Sequence, residues 1–293
     1  MRGAQILELG EPPEPVELGE PDGETVVEIE AVALNPLDLN VARGAFYGGH
    51  PPLPYVPGCE AVGRAPDGRR VYLFGDGHGL AKDGFLAERV AVAPGIAVDV
   101  PDGIEPTVAA AAGVAGVAAW VPVVWKAEVR PDDRVLVLGA TGTVGRLAVQ
   151  TARLLGAAQV VGASRRVTPD TIALDDVAAA FPGGFTVCID PVWGEPLARV
   201  LAAAAVHARI VHVGQAAGAE APLRSADVRG KELRILGHSN FVLPPEQRAQ
   251  AYRELLEQVG RGAISIDVET FPLDRVAEAW RRQGEGAKAV VTV

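Results

Sequence analysis

Val135-Leu136-Val137-Leu138-Gly139-Ala140-Thr141-Gly142-Thr143-Val144-Gly145 is the stretch that decides the fold of this chain. The apolar run reads as a strand covered on both faces, and it breaks straight into a glycine turn. Arg146–Gly156 follows with helical periodicity, and Gln159-Val160-Val161-Gly162-Ala163 supplies a second strand. The spacing closes a βαβ unit of about 30 residues. Gly142 lets backbone come close to a pyrophosphate, and Gly145 lets the helix pack tightly on the strand. The unpaired N–H groups and the positive end of the helix dipole then face the anion. Residues 139–145 are therefore the expected phosphate site.

The end of the second strand indicates which dinucleotide binds. An Asp or Glu there would accept from a ribose 2′-hydroxyl and would repel a 2′-phosphate. This chain has Ser164-Arg165-Arg166 instead, a hydroxyl and two guanidiniums suited to holding a 2′-phosphate. NADPH is the expected cofactor. Further along, Val213 and Gly214 follow a strand end, as do Ser239 and Asn240, where doubly wound sheets bind ligands. Asp190 ends another strand. His207 and His212 sit among apolar strand residues and read as packed.

Working outward, the first hundred or so residues are β-rich, with strands expected at Thr25–Ala33, Arg69–Phe74 and Ala87–Val92. From Arg134 the pattern alternates strand and helix. Strands are expected at Arg134–Leu138, Gln159–Ala163, Thr171–Leu174, Phe185–Asp190, Arg209–Val213 and Leu233–Leu236. That is the pattern of a Rossmann doubly wound parallel sheet, so the fold class is α/β with an added β-rich domain. Helices are expected at Pro245–Val259 and Leu273–Arg282, and strands near Val268–Phe271 and Ala289–Val293. One link is anomalous. Arg165–Asp170 is too short for the helical crossover that parallel neighbours normally use, and Pro169 disfavours a helix there. Either that helix is lost, or Thr171–Leu174 is not the third strand.

Composition narrows the function classes. The formal net charge of −10 argues against a nucleic-acid surface. No run approaches the ~20 uninterrupted apolar residues of a membrane span. Two cysteines, Cys59 and Cys188, cannot build a disulfide framework and fit a reducing, cytoplasmic setting. The segment Met1–Glu8 reads as a strand and not as a leader.

Together these residues resemble the medium-chain dehydrogenase/reductase superfamily, in its zinc-free quinone oxidoreductase-like branch. Asn35-Pro36-Leu37-Asp38 is similar to that branch's Asn-Pro-x-Asp segment. Pro57-Gly58-Cys59-Glu60-Ala61-Val62-Gly63 is similar to its Pro-Gly-x-Glu-x-x-Gly segment, and Gly84–Arg89 to its Gly-x-x-Ala-Glu strand. The resemblance implies a GroES-like β-rich domain over 1–108, a Rossmann NADP(H)-binding domain over 109–242, and a return into the first domain over 243–293. Zinc-dependent relatives carry Cys-x-x-Asp and Gly-His-Glu at the matching places. Here Asn35 replaces that Cys and Cys59 replaces that His, leaving too few ligands for a tetrahedral site. No metal is expected.

The implied activity is hydride transfer from NADPH to a quinone or α,β-unsaturated carbonyl, substrates whose conjugation spreads the developing charge without a Lewis acid. Asn35, Tyr47 and Tyr55 are the candidate catalytic residues, and Asp38 is expected to cap the helix around Leu39–Arg43. Lys288 stands where the family has a Gly-Lys before its last strand, in an uncertain register. A dedicated biosynthetic enoyl reductase and a non-catalytic, crystallin-like NADPH-binding protein are the alternatives. A homodimer pairing through Leu233–Leu236 is implied as well.

Overall fold

The computed structural model describes residues 1–293 except 24 and 94. The chain divides into two compact units, one of Met1–Ala115 with Pro245–Val293 and the other of Gly116–Pro244.

The second unit is built on six parallel strands. Across the sheet they run Thr171–Ile172, Gln159–Ala163, Arg134–Leu138, Phe185–Asp190, Ala204–His212 and Arg234–Gly237. Numbered along the chain the order is 3-2-1-4-5-6, so it reverses where Arg134–Leu138 meets Phe185–Asp190, and a ligand crevice lies at such a reversal. Val135 to Leu138 are fully buried because both faces of the sheet are covered. Helix Thr143–Leu154 covers one face with Leu147, Ala148 and Ala152. On the other face Leu136, Leu138, Phe185, Cys188, Leu197, Val200 and Ile210 form the core.

The short link resolves in favour of a lost helix. Thr171 pairs with Gly162 and Ile172 with Ala163, at the tip of the second strand only. The chain therefore need not run back along the sheet before pairing again. Backbone and hydroxyl groups hold the turn: the Ser164 N–H donates to Ile172 O at 3.0 Å, and the Thr168 N–H to Thr171 Oγ1 at 2.9 Å. Ser164 Oγ donates to the Arg166 carbonyl and lies 3.1 Å from Thr171 Oγ1. Ile172 ends the strand two residues before its expected limit, because nothing beyond it pairs.

One strand begins earlier than its apolar pattern shows. Ala204–His212 starts ahead of Arg209 and pairs irregularly with Phe185–Asp190 around Val187. His207 lies in that irregularity with φ +61. Its ring turns outward beside Glu232 at 3.3 Å, so it is exposed and not packed as expected.

In the first unit the main sheet runs Glu269–Pro272, Ala289–Thr292, Val26–Ala33, Glu60–Arg64, Arg70–Phe74 and Ala97–Asp99, with Arg89–Ala91 pairing Val26–Ala33. Neighbours are antiparallel save the first pair. Ala289–Thr292 thus brings the end of the chain into the sheet beside one of its earliest strands. Helix Pro106–Ala111 packs on Val26–Ala33 and Glu60–Arg64, which keeps it in this unit although it falls at the junction expected near 108. Among the described residues no helix is long and apolar enough to cross a membrane.

Thr171→Val removes the hydroxyl that joins Ser164 and Thr168 while keeping the side chain's shape. A loss of about 1–2 kcal/mol in urea unfolding is expected, and an unchanged midpoint would show that the turn does not depend on it.

Candidate active site

Strand Arg134–Leu138 delivers the chain into the glycine loop. Gly139 has φ +59, and a Cβ there would come within 2.7 Å of Val192 Cγ1. Gly142 caps helix Thr143–Leu154 in an extended conformation with no side-chain capping bond. The first helical bond runs from the Arg146 N–H to Gly142 O at 2.9 Å, leaving the N–H groups of Thr143, Val144 and Gly145 without a helical acceptor. A Cβ on Gly142 would meet only Gly139 O, at 3.4 Å, whereas one on Gly145 would meet that oxygen at 2.3 Å. So Gly145 is fixed by close packing, and the side of Gly142 stands open. Open donors at the positive end of a twelve-residue helix suit a pyrophosphate.

At the end of the second strand, Ser164 is buried and its hydroxyl is taken up by the turn just described. Its expected place as a phosphate donor is not supported by this geometry. Arg165 and Arg166 are exposed, and neither makes an ion pair among the described residues. The guanidiniums are thus the groups with donors to spare.

Two further strand ends lie at the same edge of the sheet. The Val213 N–H donates to Asp190 O at 2.8 Å, and a Cβ on Gly214 would meet Pro191 O at 2.9 Å. Asp190 Oδ1 accepts from the N–H groups of Val192 at 3.0 Å and Trp193 at 2.8 Å. Its Oδ2 is buried without a partner among the described residues, and burial pushes the carboxyl up from its ordinary value. His212 stands opposite Asp190 on the next strand, its ring centroid 4.1 Å from that of Trp193 and its Nδ1 unpartnered. After the last strand, His238 Nε2 lies 2.9 Å from Asn240 Oδ1, and burial pulls this imidazole down to about 4, so it is neutral at pH 7. Ser239 Oγ accepts from the Phe241 N–H at 3.3 Å and so serves its own turn.

The first unit holds a buried polar network that sequence reasoning missed. Glu60 is fully buried. Its Oε1 accepts from Asn35 Nδ2 at 2.7 Å and faces Lys288 Nζ at 3.4 Å. Its Oε2 accepts from the Tyr72 hydroxyl at 2.9 Å and the Val114 N–H at 2.6 Å. Lys288 also donates to Leu34 O and Asn35 Oδ1, each at 2.9 Å. Gly113 is required beside it, because a Cβ there would fall 2.0 Å from Glu60 Oε2. The only sequence signals were the Glu60 of a Gly-x-Glu segment and one lysine just before the final strand.

This network corrects one expectation and refines another. Asn35 is not a free donor: Nδ2 serves Glu60 and, at 3.3 Å, Ala33 O, while Oδ1 accepts from Lys288. Asp38 has its expected capping role, but from inside the helix as the N3 residue. Asn35 is the N-cap of Pro36–Ala42, and Asp38 completes a capping box by accepting the Asn35 N–H at 2.8 Å. Asp38 also accepts the Cys59 N–H at 2.8 Å, and burial raises its carboxyl to about 6.

A zinc ion does not fit this donor set. Asn35 stands beside Cys59, its Nδ2 3.8 Å from Cys59 Sγ, and offers an amide where a thiolate or imidazole ligand would be needed. Glu60 and Asn35 are already bound to Lys288. Among the described residues no three His, Cys, Asp or Glu side chains gather as a metal site. Of the two tyrosines, Tyr47 is 86% exposed and touches Phe46, with ring centroids 4.4 Å apart. Tyr55 is buried with its backbone paired to Ile6, and its hydroxyl has no partner among the described residues. Burial pushes that phenol upward, so it is a neutral donor.

Lys288→Met leaves Glu60 buried without its cation. A loss of about 3–5 kcal/mol is expected in denaturant unfolding, largely recovered when Glu60→Gln is added. Equal losses in the single and double variants would refute the pairing.

Comparison with known proteins agrees with this geometry. The family model for the alcohol dehydrogenase GroES-like domain matches residues 21–102, and that for zinc-binding dehydrogenase matches residues 155–289. The chain is 27% identical to a phenolphthiocerol/phthiocerol polyketide synthase polypeptide of Mycobacterium tuberculosis over 95% of its own length, but spans only 14% of that protein. It is 29% identical to a probable acrylyl-CoA reductase of Escherichia coli, covering 80% of each chain. The quinone oxidoreductase of Thermus thermophilus, solved also in complex with NADPH, superposes with a TM-score of 0.83 at 30% identity, covering 100% of both chains. The chain belongs to the medium-chain dehydrogenase/reductase superfamily, in its zinc-free, quinone oxidoreductase-like branch.

Proposed function

We propose that this chain is an NADPH-dependent, zinc-independent oxidoreductase that reduces a quinone or an α,β-unsaturated carbonyl. The observation that carries the reading is the glycine loop. Its helix N-terminus has no side-chain cap, the side of Gly142 is open, and Arg165 and Arg166, at the end of the next strand, make no ion pair among the described residues. Bound there, NADPH would supply a hydride. The chain's own part is to hold the pyrophosphate on the N–H groups of Thr143, Val144 and Gly145, and the 2′-phosphate on Arg165 and Arg166. Ala140, Thr141, Val213, Gly214, Ser239 and Asn240 remain candidates for the rest of the cofactor contacts.

With the donor set of Asn35, Cys59 and Glu60 unsuited to zinc, the substrate must spread its own developing charge, as conjugated carbonyls do. Tyr55 is the stronger candidate proton donor, because its buried hydroxyl is free of other partners among the described residues. Tyr47, largely exposed, is the weaker candidate, and Asn35 acts by positioning. The likeness to an acrylyl-CoA reductase and to a polyketide synthase favours an enoyl thioester as the second reading. A non-catalytic NADPH-binding protein is the third.

Titration of the purified chain with NADPH and NADH, then addition of 1,4-benzoquinone or an enone, tests the reading. Tight NADPH binding followed by oxidation is expected, and binding of neither nucleotide would sink it. In the Arg165→Ala/Arg166→Ala variant NADPH should weaken about 10–100-fold with NADH unchanged. Strand Arg234–Gly237 ends its sheet with one edge unpaired among the described residues, and we propose that it joins a second copy into a dimer. A monomeric mass in sedimentation would refute this.

A further inference from the structure

The first turns of helix Pro245–Gly260 and the edge of the first unit's sheet frame a cavity of about 470 Å³. Strands Arg70–Phe74 and Ala97–Asp99 pair there and supply its apolar floor through Tyr72, Phe74 and Val98. The helix contributes Arg248, Ala249 and Arg253. Tyr252 of the same helix stacks on Tyr72 with centroids 4.2 Å apart, which ties the helix to the sheet at that level. Ala249 lies one turn before Tyr252 on the same face and offers only a methyl group. The space that a larger side chain would fill is left as the cavity.

Its size and lining are those of a small-molecule site, apolar for the most part with a few polar groups. The polar groups that face a ligand here are cationic. The Arg248 guanidinium lies over the Phe74 ring, 4.7 Å from the centroid, and burial pulls it below its ordinary value. Arg253 is exposed and makes no ion pair among the described residues. The acidic lining residues are answered elsewhere. Lys82 pairs with Asp76 at 2.5 Å, and Glu246 sits in the first turn of its helix, where the dipole favours a carboxylate.

We infer that this cavity binds an amphipathic organic carboxylate, its apolar body against Tyr72, Phe74 and Val98 and its charge on Arg248 and Arg253. Guanidinium groups hold a carboxylate through charge-assisted hydrogen bonds. An inorganic anion would satisfy the arginines but leave the floor wet, whereas a carbon skeleton covers it. The site lies wholly within the first unit and does not rest on the NADPH reading.

Calorimetry with 2-naphthoate, and with 2-naphthalenemethanol as its neutral counterpart, tests the site on wild type, Ala249→Leu and Arg253→Gln. We expect wild type to bind the acid about tenfold more tightly than the alcohol, with or without NADPH present. Ala249→Leu fills the space and should abolish binding of the acid. Arg253→Gln should weaken the acid about tenfold. Because Arg253 is exposed, this second variant keeps its fold and decides the matter if Ala249→Leu does not fold. Failure of wild type to bind the acid, or to prefer it to the alcohol, would overturn the inference. So would full retention of binding in Ala249→Leu, unchanged affinity in Arg253→Gln, or displacement of the acid by NADPH. Failure of NADPH itself to bind would count against the cofactor reading alone and leave this site standing.

Discussion

A carboxylate buried to zero exposure is tolerable only if every lone pair it presents is answered, and Glu60 meets that condition. Its partners come from four separate pieces of chain: the Asn35 turn, the Tyr72 strand, the Val114 helix start and the last lysine. An apolar replacement of equal volume could be as stable, so the value of the network lies in register. A slip of the final strand by one residue would carry Lys288 away from Glu60 and turn every side chain of Ala289–Thr292 to the wrong face. The stack of Tyr72 on Tyr252, with centroids 4.2 Å apart, extends the same constraint to helix Pro245–Gly260.

The two units handle polar groups in opposite ways. In the first, donors and acceptors are consumed internally: Asn35, Asp38, Glu60 and Lys288 have partners on every side. In the second, groups beside the glycine loop are left unanswered among the described residues: helix N–H groups, two guanidiniums, Asp190 Oδ2 and His212 Nδ1. Closed networks specify structure, and open ones suit a ligand. The contrast sets Asn35 and Glu60, already tied to Lys288, apart from the edge of the sheet at the glycine loop.

Much of the second unit was legible in the sequence because its signals are local. Arg134–Leu138, Gln159–Ala163 and Phe185–Asp190 match their apolar runs residue for residue. The glycine loop could be read from spacing alone, since each glycine answers a steric demand within a few residues of itself. What escaped is non-local or turns on an exception. Nothing near Lys288 announces that its partners are Asn35 and Glu60, more than two hundred positions away in the chain. Ser164 looked like a phosphate donor because its capture by a neighbouring turn depends on how Thr168 and Thr171 fold back. Trp193 gives no warning either, as its φ of +56 contradicts tryptophan's propensity. Asn35 was recognised as important, but its chemistry was misjudged, because an amide beside a proline reads alike whether it faces a ligand or a buried lysine.

The place of Ala289–Thr292 in the first sheet has a bearing on how the protein is made. This strand lies between Glu269–Pro272 and Val26–Ala33, and the lysine just before it balances Glu60. During synthesis Val26–Ala33 and Glu60–Arg64 emerge well before residues 288–292, and until then their sheet lacks its neighbour and Glu60 its cation. The parallel-sheet unit, whose strands all lie between 134 and 237, is complete well before that. The sheet begun at Val26–Ala33 is therefore closed only after the parallel sheet is complete, and a nascent chain stalled short of residue 288 would carry a finished parallel sheet and an open antiparallel one.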